Sequence, residues 1–125
     1  MARTAVPISN LVGNGSLADP AGTTLDATND HSISLSTVHS EELVIRVTNT
    51  HSSAHTVTLK AGGTNPPAWR SGQGDLTVSV PATTGVAFIG PVSSSRFQQA
   101  GGLLHVDIES GHTGTITAFK VPRGT

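Results

Sequence analysis

From His31 onward the chain alternates apolar and polar residues in short runs, each broken by glycine, proline or asparagine. This pattern constrains the fold more than any other feature. A period of two puts successive side chains on opposite faces of a strand, whereas a helix needs a period near 3.6. "LVIRVTN" places Leu43, Ile45 and Val47 on one face and Val44, Arg46 and Thr48 on the other. "HSISLSTV" does the same with Ile33 and Leu35, "HTVTLKA" with Val57 and Leu59, and "DLTVSV" with Leu76, Val78 and Val80. "TGVAFIG", "LLHVDIE" and "TGTITAFKV" complete seven main strands. Half-apolar strands need a second apolar face to cover them, which a sandwich or barrel supplies. The one helical signal is "SSSRFQQAGG", a turn from Ser94 to Gln99 stopped by Gly101. The expected fold is all-β: a single antiparallel β-sandwich, jelly-roll or immunoglobulin-like, with an extended N-terminal arm. "NTHSSAH", "PATTG" and "ESGHTG" read as its turns. The last is expected to close a hairpin, and "HSSAH" to lie in a hairpin loop.

Length and composition fit this reading. A chain of 125 residues suits one domain. Charged residues make up only 12%, about half the usual share. Seventeen Thr and fourteen Ser fill the polar positions instead, and Thr suits a pleated surface. Residues 1–30 lack the alternation and are rich in Gly, Asn, Asp and Pro. They read as the extended arm, with Val6, Ile8, Leu11, Val12 and Leu17 as apolar anchors, and residues 31–125 as the sandwich domain.

Charge and cysteine content exclude several partner classes. The formal net charge is -1, and Arg3, Arg46, Lys60, Arg70, Arg96, Lys120 and Arg123 are scattered. Phosphate backbones are bound by clustered basic side chains, so no nucleic-acid partner is expected. The chain has no cysteine, which removes disulfides and thiolate metal sites. No apolar run is long enough for a membrane helix, and "MARTAVPISN" lacks a signal peptide's apolar region. A soluble protein made in the cytoplasm, with no membrane partner, is expected.

Reactive constellations are weak. His105, Asp107 and Glu109 share a strand face, but no spacing typical of a metal site supports them. His51 and His55 lie in a turn and read as exposed loop histidines. There is no G-x-S-x-G motif, and the adjacent Glu41 and Glu42 would point to opposite faces of a strand. No catalytic, cofactor or metal residue is therefore assigned, and no enzyme is expected. The feature that stands out is "AGGTNPPAWRSGQGD", which holds the only tryptophan in the chain's longest Gly- and Pro-rich loop. Long loops are often functional, Pro66 and Pro67 would stiffen this one, and Trp and Arg are enriched at interface hot spots. Trp69 with Arg70 either plugs an end of the sandwich or meets a neighbouring subunit.

"LVIRVTNTHSSAHTVTLKAG", "DLTVSVPATTGVAFIGPVSSSRFQQAGG" and the closing "LLHVDIESGHTGTITAFKVPR", with the opening "MARTAV", resemble a group of small structural proteins. These are encoded near the major capsid protein of tailed phages and prophages. The resemblance covers most of the chain from about Leu43 to Arg123 and rests on strand and turn words. It implies a virion protein, made in the bacterial host, that decorates or cements the outer capsid surface. Its partners would be the major capsid protein and itself, as a small symmetric oligomer such as a homotrimer. Arg3, Val6, Ile8 and Leu11 of the arm, with Trp69 and Arg70 of the loop, are the expected partner-binding residues. A neck or tail component is the alternative within the virion. A carbohydrate-binding module is the alternative outside it, disfavoured by one Trp, three Phe and no Tyr.

Overall fold

A computed structural model describes residues 2–63 and 68–122. Among them are ten strands and one four-residue helix, so the protein is nearly all β. In chain order the strands are β1 (Thr4–Ala5), β2 (Ile8–Asn10), β3 (Thr23–Thr24), β4 (His31–Ser34), β5 (Leu43–Asn49), β6 (His55–Leu59) and β7 (Leu76–Val80). There follow β8 (Gly85–Ile89), helix α1 (Ser94–Phe97), β9 (Leu103–Ile108) and β10 (Thr115–Lys120). The seven alternating runs are β4 to β10. No helix among the described residues is long and apolar enough to cross a membrane.

The strands form two sheets. Sheet A runs β1-β4-β9-β6-β7, and sheet B runs β2-β10-β5-β8, with β3 pairing along β10. The main pairs are antiparallel, such as Ile45 opposite Ala118 on one side and Ile89 on the other. The apolar faces that the alternation defines meet in one sandwich-like core. Ile33, Val57, Leu59, Leu104 and Val106 from sheet A pack with Leu43, Ile45, Val47 and Ile116 from sheet B, all fully buried.

The connections differ from the sequence expectation. Among the described strands, only β6 and β7 are both consecutive and paired with each other. β9 lies in sheet A and β10 in sheet B, so "ESGHTG" crosses between sheets and does not close a hairpin. "HSSAH" likewise carries the chain from β5 in sheet B to β6 in sheet A. A Gly- or Ser-rich turn reverses the chain whether or not the next strand stays in the same sheet. Buried polar side chains fix the crossings. Asn49 Nδ2 donates across to Val80 O at 3.2 Å and to Ser53 O at 3.0 Å. The His112 ring sits between Thr56 O of sheet A and Thr48 O of sheet B.

The first thirty residues are woven into both sheets. β1 adds to β4 and β2 adds to β10, each in parallel. The link between them crosses from one sheet to the other, with Val6 buried and its N–H donated to Ser32 O at 2.9 Å. The chain then wraps the outer face of sheet B. Arg46 pairs with Asp19, donates to Pro20 O at 3.0 Å and to Thr117 Oγ1 at 3.2 Å, and lies 5.4 Å from the Phe119 ring centre. This wrapping buries Thr117 and Phe119, although both point away from the core. One flank of the molecule is thus closed by the N-terminal crossing, and the other ends in the edges of β7 and β8.

Candidate assembly surface

Trp69 does not plug the sandwich. It is 81% exposed, and Arg70 lies beside it with its guanidinium 5.9 Å from the ring. The plug at this end is Phe97 of α1, which is buried and covered by Arg96 at 4.6 Å. The base of the Trp69 loop is fastened to that same helix. Arg70 N donates to Ser95 O at 2.6 Å, Gly62 N to Arg96 O at 2.9 Å, and Arg96 Nε to Gly74 O at 3.0 Å. Asp75 accepts from Ala61 N at 2.7 Å and from Lys60 Nζ at 2.9 Å, and these two donors hold its carboxyl below the usual range. Ala68, next to the tryptophan, is buried. Pro66 and Pro67, expected to stiffen the loop, lie outside the described residues. A large aromatic is therefore held out in solvent by a fastened base, which reduces the entropy lost when a partner covers it.

Three of the four N-terminal candidates, Arg3, Val6 and Ile8, make contacts within the fold. Arg3 donates to Asp107 at 2.6 Å and to His31 O at 3.2 Å, which fastens β1 to sheet A. Val6 belongs to the core, and Ile8 packs against it half-buried. Their apolar surface is used internally because β1 and β2 complete the two sheets. Leu11 stands apart: it is 38% exposed, beside Val12 at 54%.

The histidines are arranged more closely than the sequence suggested. His51 and His55 are half-buried, not exposed, with His55 Nε2 3.2 Å from His51 Nδ1. His55 also pairs with Glu109 and stacks on the buried His112, ring centres 5.7 Å apart. The hydrogen bond from His55 lowers the Glu109 pKa. Two crossing turns at the same end of the sandwich bring these residues together. The strand-face trio separates: Asp107 binds Arg3, Glu109 turns to His55, and His105 stays half-buried, its pKa lowered mainly by burial and then by Arg3. Among the described residues, no group of three His, Cys, Asp or Glu side chains is placed to hold a metal.

One surface escaped the sequence reading. On β8 the alternation points Val86 and Phe88 outward, 49% and 65% exposed, while Ile89 is buried. Among the described residues, β8 pairs with β5 on one side only. No family model, curated protein or solved structure matches the chain.

Proposed function

We propose that this chain is a non-enzymatic structural protein that works by surface contact with neighbouring subunits, decorating or cementing the outer surface of a tailed-phage capsid. The observation that carries the reading is the exposed Trp69–Arg70 pair on a fastened loop. A side chain of this size left in water costs solubility unless something covers it, and Trp and Arg are typical anchors of protein interfaces. The capsid-type sequence resemblance supports the same class of partner, the major capsid protein. So does the strand order. With β1 and β2 set aside as additions and β3 taken as the strand beside β10, we read the orders β3-β10-β5-β8 and β4-β9-β6-β7 as those of a jelly roll, an architecture used by viral capsid and lectin domains.

In this reading Trp69 and Arg70 meet the capsid, Leu11 and Val12 add an apolar contact, and Arg3, Val6 and Ile8 hold the N-terminal segment in shape. Copies also meet one another in a small symmetric oligomer, a trimer by the resemblance. The test is to image purified particles and count this chain on them. Lattice-scale occupancy that falls when Trp69 is replaced by alanine supports the proposal. A few copies at one vertex would indicate a neck or tail component, and absence from particles would refute a virion role. Glycan binding lost in Trp69→Ala would favour the carbohydrate-binding alternative.

A further inference from the structure

We infer that β8 is a self-pairing edge: two copies of this chain join antiparallel along Gly85–Ile89 and continue sheet B across a twofold axis. This twofold contact is separate from the threefold one named in the proposed function, and it rests on that reading only for the idea that copies meet.

The two flanks of the sandwich are built differently. On one, the N-terminal crossing and the short β1 and β2 leave little unpaired edge. On the other, β7 and β8 are each five residues long and, among the described residues, paired on one side only. Soluble proteins protect such edges with charges, prolines or bulges. Neither Leu76–Val80 nor Gly85–Ile89 contains a charged residue or a proline. β7 shows polar Thr77 and Ser79 to solvent, whereas β8 shows Val86 and Phe88.

The sequence of β8 suits a copy of itself. An antiparallel pairing centred on Ala87 sets Val86 opposite the partner's Phe88, and Phe88 opposite the partner's Val86. Pairs of an aromatic with a β-branched residue are favourable cross-strand neighbours. The same register sets Gly85 opposite the partner's Ile89, so no bulky pair collides. The twofold axis runs normal to the sheets, so it also brings β7 towards its own copy. Such an interface is isologous and closed, with no open end to propagate.

The area sets the strength. A standard interface buries about 800 Å² per partner through roughly 20–30 residues, or some 30–40 Å² each. Ten edge residues then bury about 300–400 Å² per copy, in the range of weak, transient contacts. Free chains should pair only at high concentration. Copies held side by side on a particle gain the effective concentration that makes a weak contact persist.

The test uses the isolated chain, so its failure leaves particle binding untouched, and absence from particles leaves the pairing untouched. Sedimentation velocity is run from about 10 µM to about 1 mM, where an interface this small dissociates. Wild type should shift towards dimer with concentration. Val86→Lys and Phe88→Glu should each weaken that association about tenfold or more. The double variant V86K/F88E should recover it, because each new lysine then faces the partner's new glutamate. Both positions point into solvent, so the variants should keep the wild-type far-UV spectrum, which is checked first. A wild type that stays monomeric across the range overturns the inference. So does a double variant that folds but fails to recover, or association that depends on Trp69 and not on β8.

Discussion

Replacing His31 with alanine should cost far more stability than the loss of one polar side chain suggests. The ring is fully buried between β1, β4 and the turn that precedes β4. Asp26 N donates to Nε2 at 3.0 Å, so that nitrogen carries no proton; Nδ1 does, and donates to Thr4 O at 3.1 Å. Alanine leaves one backbone donor and one backbone acceptor without partners, each at about 1–3 kcal/mol, and opens a cavity besides. The two unpaired groups alone come to about 2–6 kcal/mol, a large part of the 5–15 kcal/mol typical of a folded domain. Urea unfolding at neutral pH should be followed by far-UV circular dichroism, since Trp69 is 81% exposed when folded and would report little. The wild type should also lose stability on acidification. Burial is the main cause that lowers the His31 pKa from its ordinary 6.5, outweighing the bond to Thr4 O and the nearby Asp26 and Asp30. The unfolded chain therefore binds the proton first, and stability declines as the pH drops below about 6.5. His105 shifts the same way, so the informative quantity is the difference between wild type and H31A, which should shrink as the pH falls. A loss in H31A below about 1 kcal/mol, less than the cost of a single unpaired group, or a difference that stays constant from pH 7 to pH 5, would rule out this role for His31.

Trp69→Ala should leave the unfolding free energy from urea titration within about 0.5 kcal/mol of wild type, as expected for an exposed side chain, while under the proposed function its occupancy on capsids falls. Deleting residues 2–14 should destabilise or unfold the domain, because it removes β1, β2 and the buried Val6; a truncated chain with wild-type melting behaviour would contradict the woven N-terminus. Gly114→Ala should cost more than about 2 kcal/mol. The residue has φ 139° and an added Cβ would lie 2.4 Å from Thr48 O, so a calorimetric melting temperature close to wild type would show that the crossing can relax.

The strands were legible in the sequence because the signal for them is local. β5 occupies the whole of "LVIRVTN", and Leu43, Ile45 and Val47 are buried as their spacing requires. Sheet membership was not legible. The residues of "ESGHTG" encode a reversal, and its passage between sheets is tied to the His112 ring meeting the carbonyls of Thr48 and Thr56 far away in the chain. The same limit hid the grouping of His51, His55, Glu109 and His112, whose one visible clue was that both turns begin at strand ends. Trp69 posed a different problem. Its loop was recognisable, but the choice between plug and protrusion turned on Phe97, a residue nearly thirty positions away that already fills the end of the sandwich.

The N-terminal thirty residues explain why the exposed features gather where they do. An unaided sandwich of β4 to β10 would leave edges on both flanks and an uncovered outer face on sheet B. The crossing from β1 to β2 seals one flank, and the Asp19–Pro20 wrap, held by Arg46, covers Phe119 on that face. Phe88 sits opposite Arg46 in the β5–β8 register, one strand beyond that covered region, and is left bare. The chain covers one aromatic on the outer face of sheet B and leaves its neighbour exposed on an uncharged edge. If incomplete packing alone explained this, Phe88→Ser should improve solubility and leave assembly unchanged. If the edge is built for a copy of the same chain, that substitution should remove the concentration-dependent dimer while the monomer keeps its stability.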